Sequence, residues 1–198
     1  MLRIGRRQAL FATLTAGTSA GAVLSMALPP RPASAQGSAL LGQLVEGPPR
    51  ALPELSFTDE EGTRKSVADF AGKGLVVNFW ATWCAPCVEE MPSLDRLQEL
   101  VEREGILVLP LSSDRGGASQ VRGFYARTRV RNLDIWLDPQ GAAGRALGVR
   151  GLPTTLVLDR QGREVARLEG SADWSAPEKL EAIRRLLAAP APERPTST

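Results

Sequence analysis

Histidine is missing from this 198-residue chain, cysteine occurs only twice and tyrosine once. Without an imidazole, no Ser-His-Asp or Cys-His catalytic arrangement can form, and the commonest nitrogen ligand for metals is gone. Two sulfurs cannot complete the tetrahedral N/S shell of a zinc site within one molecule. An excess of one charge is lacking as well: 24 Lys+Arg stand against 22 Asp+Glu, a net of +2, so no basic footprint for nucleic acid stands out. Arg122, Arg127, Arg129 and Arg131 read as solvated faces of a helix and its following loop. No segment repeats at a fixed period, and the length suits one domain with appendages.

What is present is a placement. Both cysteines fall in Val76-Val77-Asn78-Phe79-Trp80-Ala81-Thr82-Trp83-Cys84-Ala85-Pro86-Cys87, where an apolar run rich in β-branched and aromatic residues reads as a buried strand over 75–80. A helix follows, because Pro86 has φ preset for a first turn and Glu89, Glu90, Leu94, Leu97, Leu100 and Val101 continue at helical spacing. Cys84 therefore sits at a helix N-terminus, where free N–H groups and the dipole lower a thiol pKa from about 8.5 into the range of roughly 3.5–7.5. Cys87, one turn further in, is expected to be less exposed and less ionised. The chemistry that follows is thiol–disulfide exchange, with Cys84 attacking a partner's disulfide and Cys87 resolving the mixed disulfide. A purely structural bridge is a poor explanation, since a loop spanning two residues constrains the unfolded chain very little.

Residues 1–35 read as an export signal. Arg3, Arg6 and Arg7 precede a mildly apolar stretch over 9–28, and Ala33-Ser34-Ala35 offers a small-x-small cleavage site that leaves Gln36 first. Gly5-Arg6-Arg7-Gln8-Ala9-Leu10 resembles a twin-arginine signal, although Ala9 stands where that pattern favours Phe; the general secretory route stays open. The stretch is long enough to span a bilayer, but its Thr, Ser and Gly content makes it a weak anchor. Cleavage is expected, with a retained membrane anchor as the alternative. Loss of Arg3, Arg6, Arg7 and Arg31 takes Lys+Arg from 24 to 20 against 22 acidic residues, and the net charge from +2 to −2. Outside the reducing cytosol the dithiol is oxidised unless a dedicated electron supply keeps it reduced.

The remaining pattern alternates strand and helix. Residues 36–53 form a Gly/Pro-punctuated, extended lead-in, and 55–57 with 64–66 read as a hairpin around Asp59-Glu60-Glu61-Gly62. After a helical turn at 67–70 and the cysteine strand and helix come a strand at 106–111, a helix at 119–128, a short strand at 134–137 and a short helix at 141–147. Residues 154–158 and 164–168 are strands joined by Asp159-Arg160-Gln161-Gly162. A last amphipathic helix spans 177–188, with Leu180, Ile183 and Leu187 on one face, and 189–198 is a Pro-rich, disordered tail. The main domain is expected over 54–188.

These residues resemble a known family, the TlpA/ResA/CcmG branch of thioredoxin-like, periplasmic thiol–disulfide oxidoreductases. The resemblance covers about 52–187 and rests on the cysteine run, Glu90-Met91-Pro92, Val149-Arg150-Gly151-Leu152-Pro153-Thr154-Thr155, Gly170 with Trp174, and Pro177-Glu178. It implies an α/β, thioredoxin-like fold, with a central mixed sheet flanked by helices and an N-terminal hairpin extension. It also implies a cis Leu152–Pro153 bond facing the disulfide, where the backbone can pair with a substrate strand. Glu90 matches the family's acidic residue near the sulfurs, which helps to shuttle protons; the alternative is that it complements the helix terminus, as Glu89 does. Asn78 departs from ordinary thioredoxins, which carry Asp there, so Glu90 becomes the better proton acceptor. Trp83 is expected as an exposed rim for substrate and Trp80 as core, while Trp136 and Trp174 are read as packing.

By resemblance the protein is a periplasmic reductase of client proteins with disulfides or copper-site cysteines, in cytochrome c maturation or respiratory oxidase assembly. A membrane thiol carrier supplies its electrons, and it carries no cofactor or metal beyond the Cys84–Cys87 disulfide. No nucleic acid is expected as a partner, and a monomer is. Two other readings use the same cysteines: an oxidant or isomerase, which helix-terminal tuning equally allows, and a non-catalytic Cu(I) carrier, for which soft thiolates are suited. Copper-delivering relatives of this fold resemble a different pattern, with three residues between the cysteines and a distant His.

Overall fold

A strand buried along its whole length organises the structure. In the computed structural model, which describes residues 42–188, β4 (Gly74–Trp80) has all seven residues buried, as an apolar strand with both faces covered requires. Its alternate side chains serve two cores. Val76 and Trp80 face one with Met91, Leu94 and Leu97 of α1 (Ala85–Val101), while Leu75, Val77 and Phe79 face the other. Asn78 falls on the α1 face, the one polar side chain of β4.

β4 pairs in parallel with β5 (Ile106–Ser112) and antiparallel with β7 (Thr154–Leu158). On one side the sheet continues through β8 (Glu164–Glu169) to β1 (Val45–Arg50), both antiparallel. On the other it continues through β6 (Trp136–Leu137) to β2 (Phe57–Thr58) and β3 (Arg64–Lys65), giving the order β1-β8-β7-β4-β5-β6-β2-β3. Helices α2 (Gly117–Thr128), α3 (Ala142–Ala146) and α4 (Pro177–Ala188) complete the layers. Close packing explains Gly74: a Cβ there would lie 2.8 Å from Leu187 of α4, nearer than side chains tolerate.

The hairpin over 55–66 is β2–β3, joined to the sheet edge through Thr58 opposite Leu137. The lead-in differs from a segment that merely precedes the domain. Its residues 45–50 enter the sheet as β1, bulged around Gly47-Pro48-Pro49, where Glu46 faces Ala166 and Arg50 faces Glu164. An edge position tolerates prolines that an interior strand would not, and β1 covers what would otherwise be the free edge of β8. The expected signal at 1–35, the start at Gln36 and the tail at 189–198 lie outside the described residues. Among the described residues no helix is long and apolar enough to cross a membrane.

Candidate active site

The first turn of α1 carries both sulfurs. Cys84 is the N-cap residue, with extended backbone and no side-chain oxygen capping the helix, so helix N–H groups lie beside it unsatisfied by any side chain. It is bridged to Cys87. Cys84 is 7% exposed and Cys87 wholly buried, the asymmetry expected of an outer and an inner sulfur. Pro86 lies in the first turn. Trp83, immediately before the helix, is 69% exposed, whereas Trp80 is buried in the core.

The loop between β4 and α1 is fixed from beneath by Asp114, a fully buried carboxylate just past the end of β5. It accepts from the Thr82 N–H at 2.9 Å and from the Thr82 and Ser112 hydroxyls at 2.8 Å. The Gln120 amide donates to it at 2.8 Å and to the Thr82 Oγ1 at 2.7 Å. Asp114 therefore ties Thr82, two residues ahead of Cys84, to β5 and α2.

One turn along α1 from Cys87 stands Glu90, 3% exposed. Residues three apart share a helix face, so its carboxyl is on the Cys87 side of α1. Its Oε1 accepts from the Asn78 Nδ2 at 2.8 Å, and its Oε2 from the Ala172 N–H and the Trp174 indole N–H, each at 3.1 Å. Asn78 Nδ2 also donates to the Thr155 hydroxyl at 2.9 Å, and Asn78 Oδ1 is buried without a partner. Burial pushes the Glu90 carboxyl up from the usual 4.5 to about 7, with the three N–H donors pulling the other way. A group poised there can both take and return a proton near neutrality.

Beside the sulfurs lies a groove of about 440 Å³ lined by Pro86, Glu89, Leu152, Pro153, Gly170 and Ser171. The Leu152–Pro153 bond is cis, and the Pro153 carbonyl accepts from the Gly170 N–H at 2.9 Å. A second depression, of about 520 Å³, flanks Trp83 on the side of Arg115 and Gln120. Trp83 lines this second depression and not the first. A larger cavity of about 800 Å³, at the β1–β8 edge, contains none of these residues. Among the described residues no group of three or more His, Cys, Asp or Glu could hold a metal ion.

The structure brings Cys84, Cys87, Glu90, Trp83, Pro86, Leu152 and Pro153 into one region. Sequence reasoning missed Asp114 and Thr155, and it read Trp174 as packing although its indole reaches Glu90 across 84 positions. For Asp114 a signal existed: it follows the carboxyl end of a parallel strand, where open α/β sheets place their functional groups.

A helix-borne Cys-x-x-Cys bridge on a mixed sheet, opposite a cis-proline turn, defines a class, the thioredoxin-like thiol–disulfide oxidoreductases. The comparisons agree. The Redoxin family model matches residues 49–183, and the chain belongs to that family. It is 31% identical over 121 residues to the thiol-disulfide oxidoreductase ResA of Bacillus thuringiensis subsp. konkukian, spanning 61% of this chain and 69% of that one. Among solved structures, a secreted thiol-disulfide isomerase from Corynebacterium glutamicum superposes with a TM-score of 0.63 at 23% identity, covering 74% of this chain and 92% of the other. A thioredoxin-family thiol:disulfide interchange protein from Chlorobium tepidum gives 0.55 at 23% identity, covering 70% and 99%. The protein is an enzyme of thiol–disulfide exchange, of the ResA type.

Proposed function

We propose that this oxidoreductase is an exported reductase of client disulfides, with residues 1–35 as its signal and a membrane dithiol carrier as its electron donor. The observation that carries the reading is the pairing of a wholly buried Cys87 with a buried carboxyl one turn away, poised at about 7. In the reduced enzyme the Cys84 thiolate attacks one sulfur of the client disulfide; a mixed disulfide forms and the other client sulfur leaves as thiolate. Cys87 passes its proton to the Glu90 carboxylate and attacks the Cys84 sulfur. The second client thiolate leaves and takes up a proton, which Glu90 supplies. Two electrons have moved from the enzyme dithiol to the client, and the enzyme holds the Cys84–Cys87 bridge seen in the structure. The donor's dithiol restores it by the reverse exchange.

The Pro86–Pro153 groove suits an extended client segment, with Trp83 as its rim. Client cysteines of cytochrome c or copper sites come from the family resemblance. Equilibration of the protein against a thiol buffer tests the direction: a reduction potential near thioredoxin's roughly −270 mV is expected, and one near DsbA's roughly −120 mV would make it an oxidant. Cys87→Ser should trap clients as mixed disulfides through Cys84, and Cys84→Ser should trap none. Trapping by Cys84→Ser alone would reverse the two roles.

A further inference from the structure

The Trp174 side chain does more than fill the core. It is wholly buried, yet it fastens to the Glu90 turn of α1 at two points. Its indole N–H donates to Glu90 Oε2 at 3.1 Å. Its backbone N–H donates to the Ser93 hydroxyl at 3.0 Å, and that hydroxyl donates to the Glu90 carbonyl at 2.7 Å. The same short segment begins at Gly170 and Ser171, which line the groove beside the sulfurs, and Gly170 is bonded to the Pro153 carbonyl. Between these ends the Ala172 N–H shares Glu90 Oε2 with the indole.

We propose that Trp174 is a positioning residue of the exchange reaction, its indole N–H fixing the orientation of the Glu90 carboxylate and setting that group's affinity for the Cys87 proton. The inference rests on Glu90 as the proton carrier of the proposed function. The physical basis is selective: N–H donors stabilise the carboxylate over the carboxyl, and all three donors to Glu90 are neutral, so each lowers its proton affinity without adding a formal charge. From the elements around it, α1 brings the carboxylate of Glu89, the 171–175 segment that of Asp173, and β4 and β7 bring the neutral Asn78 and Thr155. Glu89 and Asp173 are exposed and act against ionisation of Glu90 only weakly through solvent. The hydrogen bonds are then the main force opposing burial, and Trp174 supplies one of the two on Oε2.

The reaction separates into readable steps. Mixing the reduced protein with 5,5′-dithiobis(2-nitrobenzoic acid) releases one thionitrobenzoate when Cys84 attacks and a second when Cys87 resolves, and the second rate is followed against pH. In the unaltered protein that rate should rise with a midpoint near Glu90's pKa, and Glu90→Gln should abolish the midpoint. Trp174→Phe removes the N–H and keeps an aromatic ring; its midpoint should move up by about one pH unit, a tenfold gain in proton affinity. In the Trp174→Phe/Glu90→Gln double variant no midpoint should remain. A profile unmoved by Trp174→Phe while Glu90→Gln removes the midpoint would overturn the role of Trp174 alone. A midpoint that survives Glu90→Gln would overturn the reading of Glu90 itself. If Trp174→Phe fails to fold, 3-benzothienylalanine at position 174, which matches the indole in shape but lacks the N–H, gives the same test: a shift supports the proposal and an unmoved profile overturns it.

Discussion

Glu90→Gln should change how stability depends on pH, in a direction that burial alone dictates. In the oxidised protein the folded state holds the Glu90 proton up to about 7, whereas the unfolded chain releases it near 4.5. Between those values the folded state binds more protons than the unfolded one, so stability falls as pH rises. Below about 4.5 both states are protonated and there is no penalty; above about 7 both are ionised and the penalty is complete. At 1.36 kcal/mol per pH unit the full loss is about 3 kcal/mol. Groups whose pKa is held down titrate in the opposite sense: Glu164 is lowered against its partial burial by Arg167 and Arg50. Their contributions cancel in the difference between variant and parent. Urea denaturation of both oxidised proteins across pH 4.5 to 8.5 should show Glu90→Gln gaining about 3 kcal/mol on the parent from the acid end to the alkaline end. A difference constant to within about 0.5 kcal/mol across the range would refute a Glu90 pKa raised by burial.

Two other substitutions separate scaffold from surface. Asp114→Ala leaves the Thr82, Ser112 and Gln120 donors without their buried acceptor and should cost about 2–4 kcal/mol in urea midpoint experiments at pH 7, with slower exchange because the loop before Cys84 loosens; an unchanged midpoint would refute the anchoring role. Trp83→Ala removes a side chain that is 69% exposed and should alter stability by less than about 0.5 kcal/mol. It should nevertheless raise the KM for a disulfide-containing peptide by at least about fivefold, as expected of an aromatic anchor; an unchanged KM would return Trp83 to an incidental surface residue.

Most of the fold was legible because its elements carry strong local signals. The apolar run at 75–80, rich in β-branched and aromatic residues, reads as a covered strand, and Pro177 at the start of an amphipathic repeat marks the bounds that α4 adopts. The turn at 159–162 likewise carries Asp and Gly at the positions a hairpin needs. β1 was illegible for the opposite reason. Glu46-Gly47-Pro48-Pro49 has neither alternation nor β-branched density, and all six residues of the strand are exposed. Its pairing comes from the partner edge of β8, with Arg50 bound to Glu164 at 2.5 Å and Glu46 bound to Arg185 of α4. These contacts link residues more than 110 positions apart, which no local window contains.

The site divides in the same way. The residues found from sequence, Cys84, Cys87, Pro86 and Trp83, act within one strand–helix junction, where spacing alone fixes their relation. Glu90 sits one turn on and shares that advantage, but its chemistry does not: a Glu at that helix position in solvent would be an ordinary carboxylate. What suits it to the proposed proton role is the lid of Ala172 and Trp174 and the Asn78 amide beneath it, contributed by two segments distant in sequence from α1 and from each other. Burial raises its proton affinity and the donors restrain it, and the balance between them sets a value near neutrality. Replacing Asp by Asn at position 78 belongs to the same balance. A second carboxylate there would lie within hydrogen-bonding distance of Glu90 in the same buried site, and the pair would share a proton rather than present one poised acid. The amide instead gives Glu90 a donor, so the single buried carboxylate beside Cys87 titrates alone.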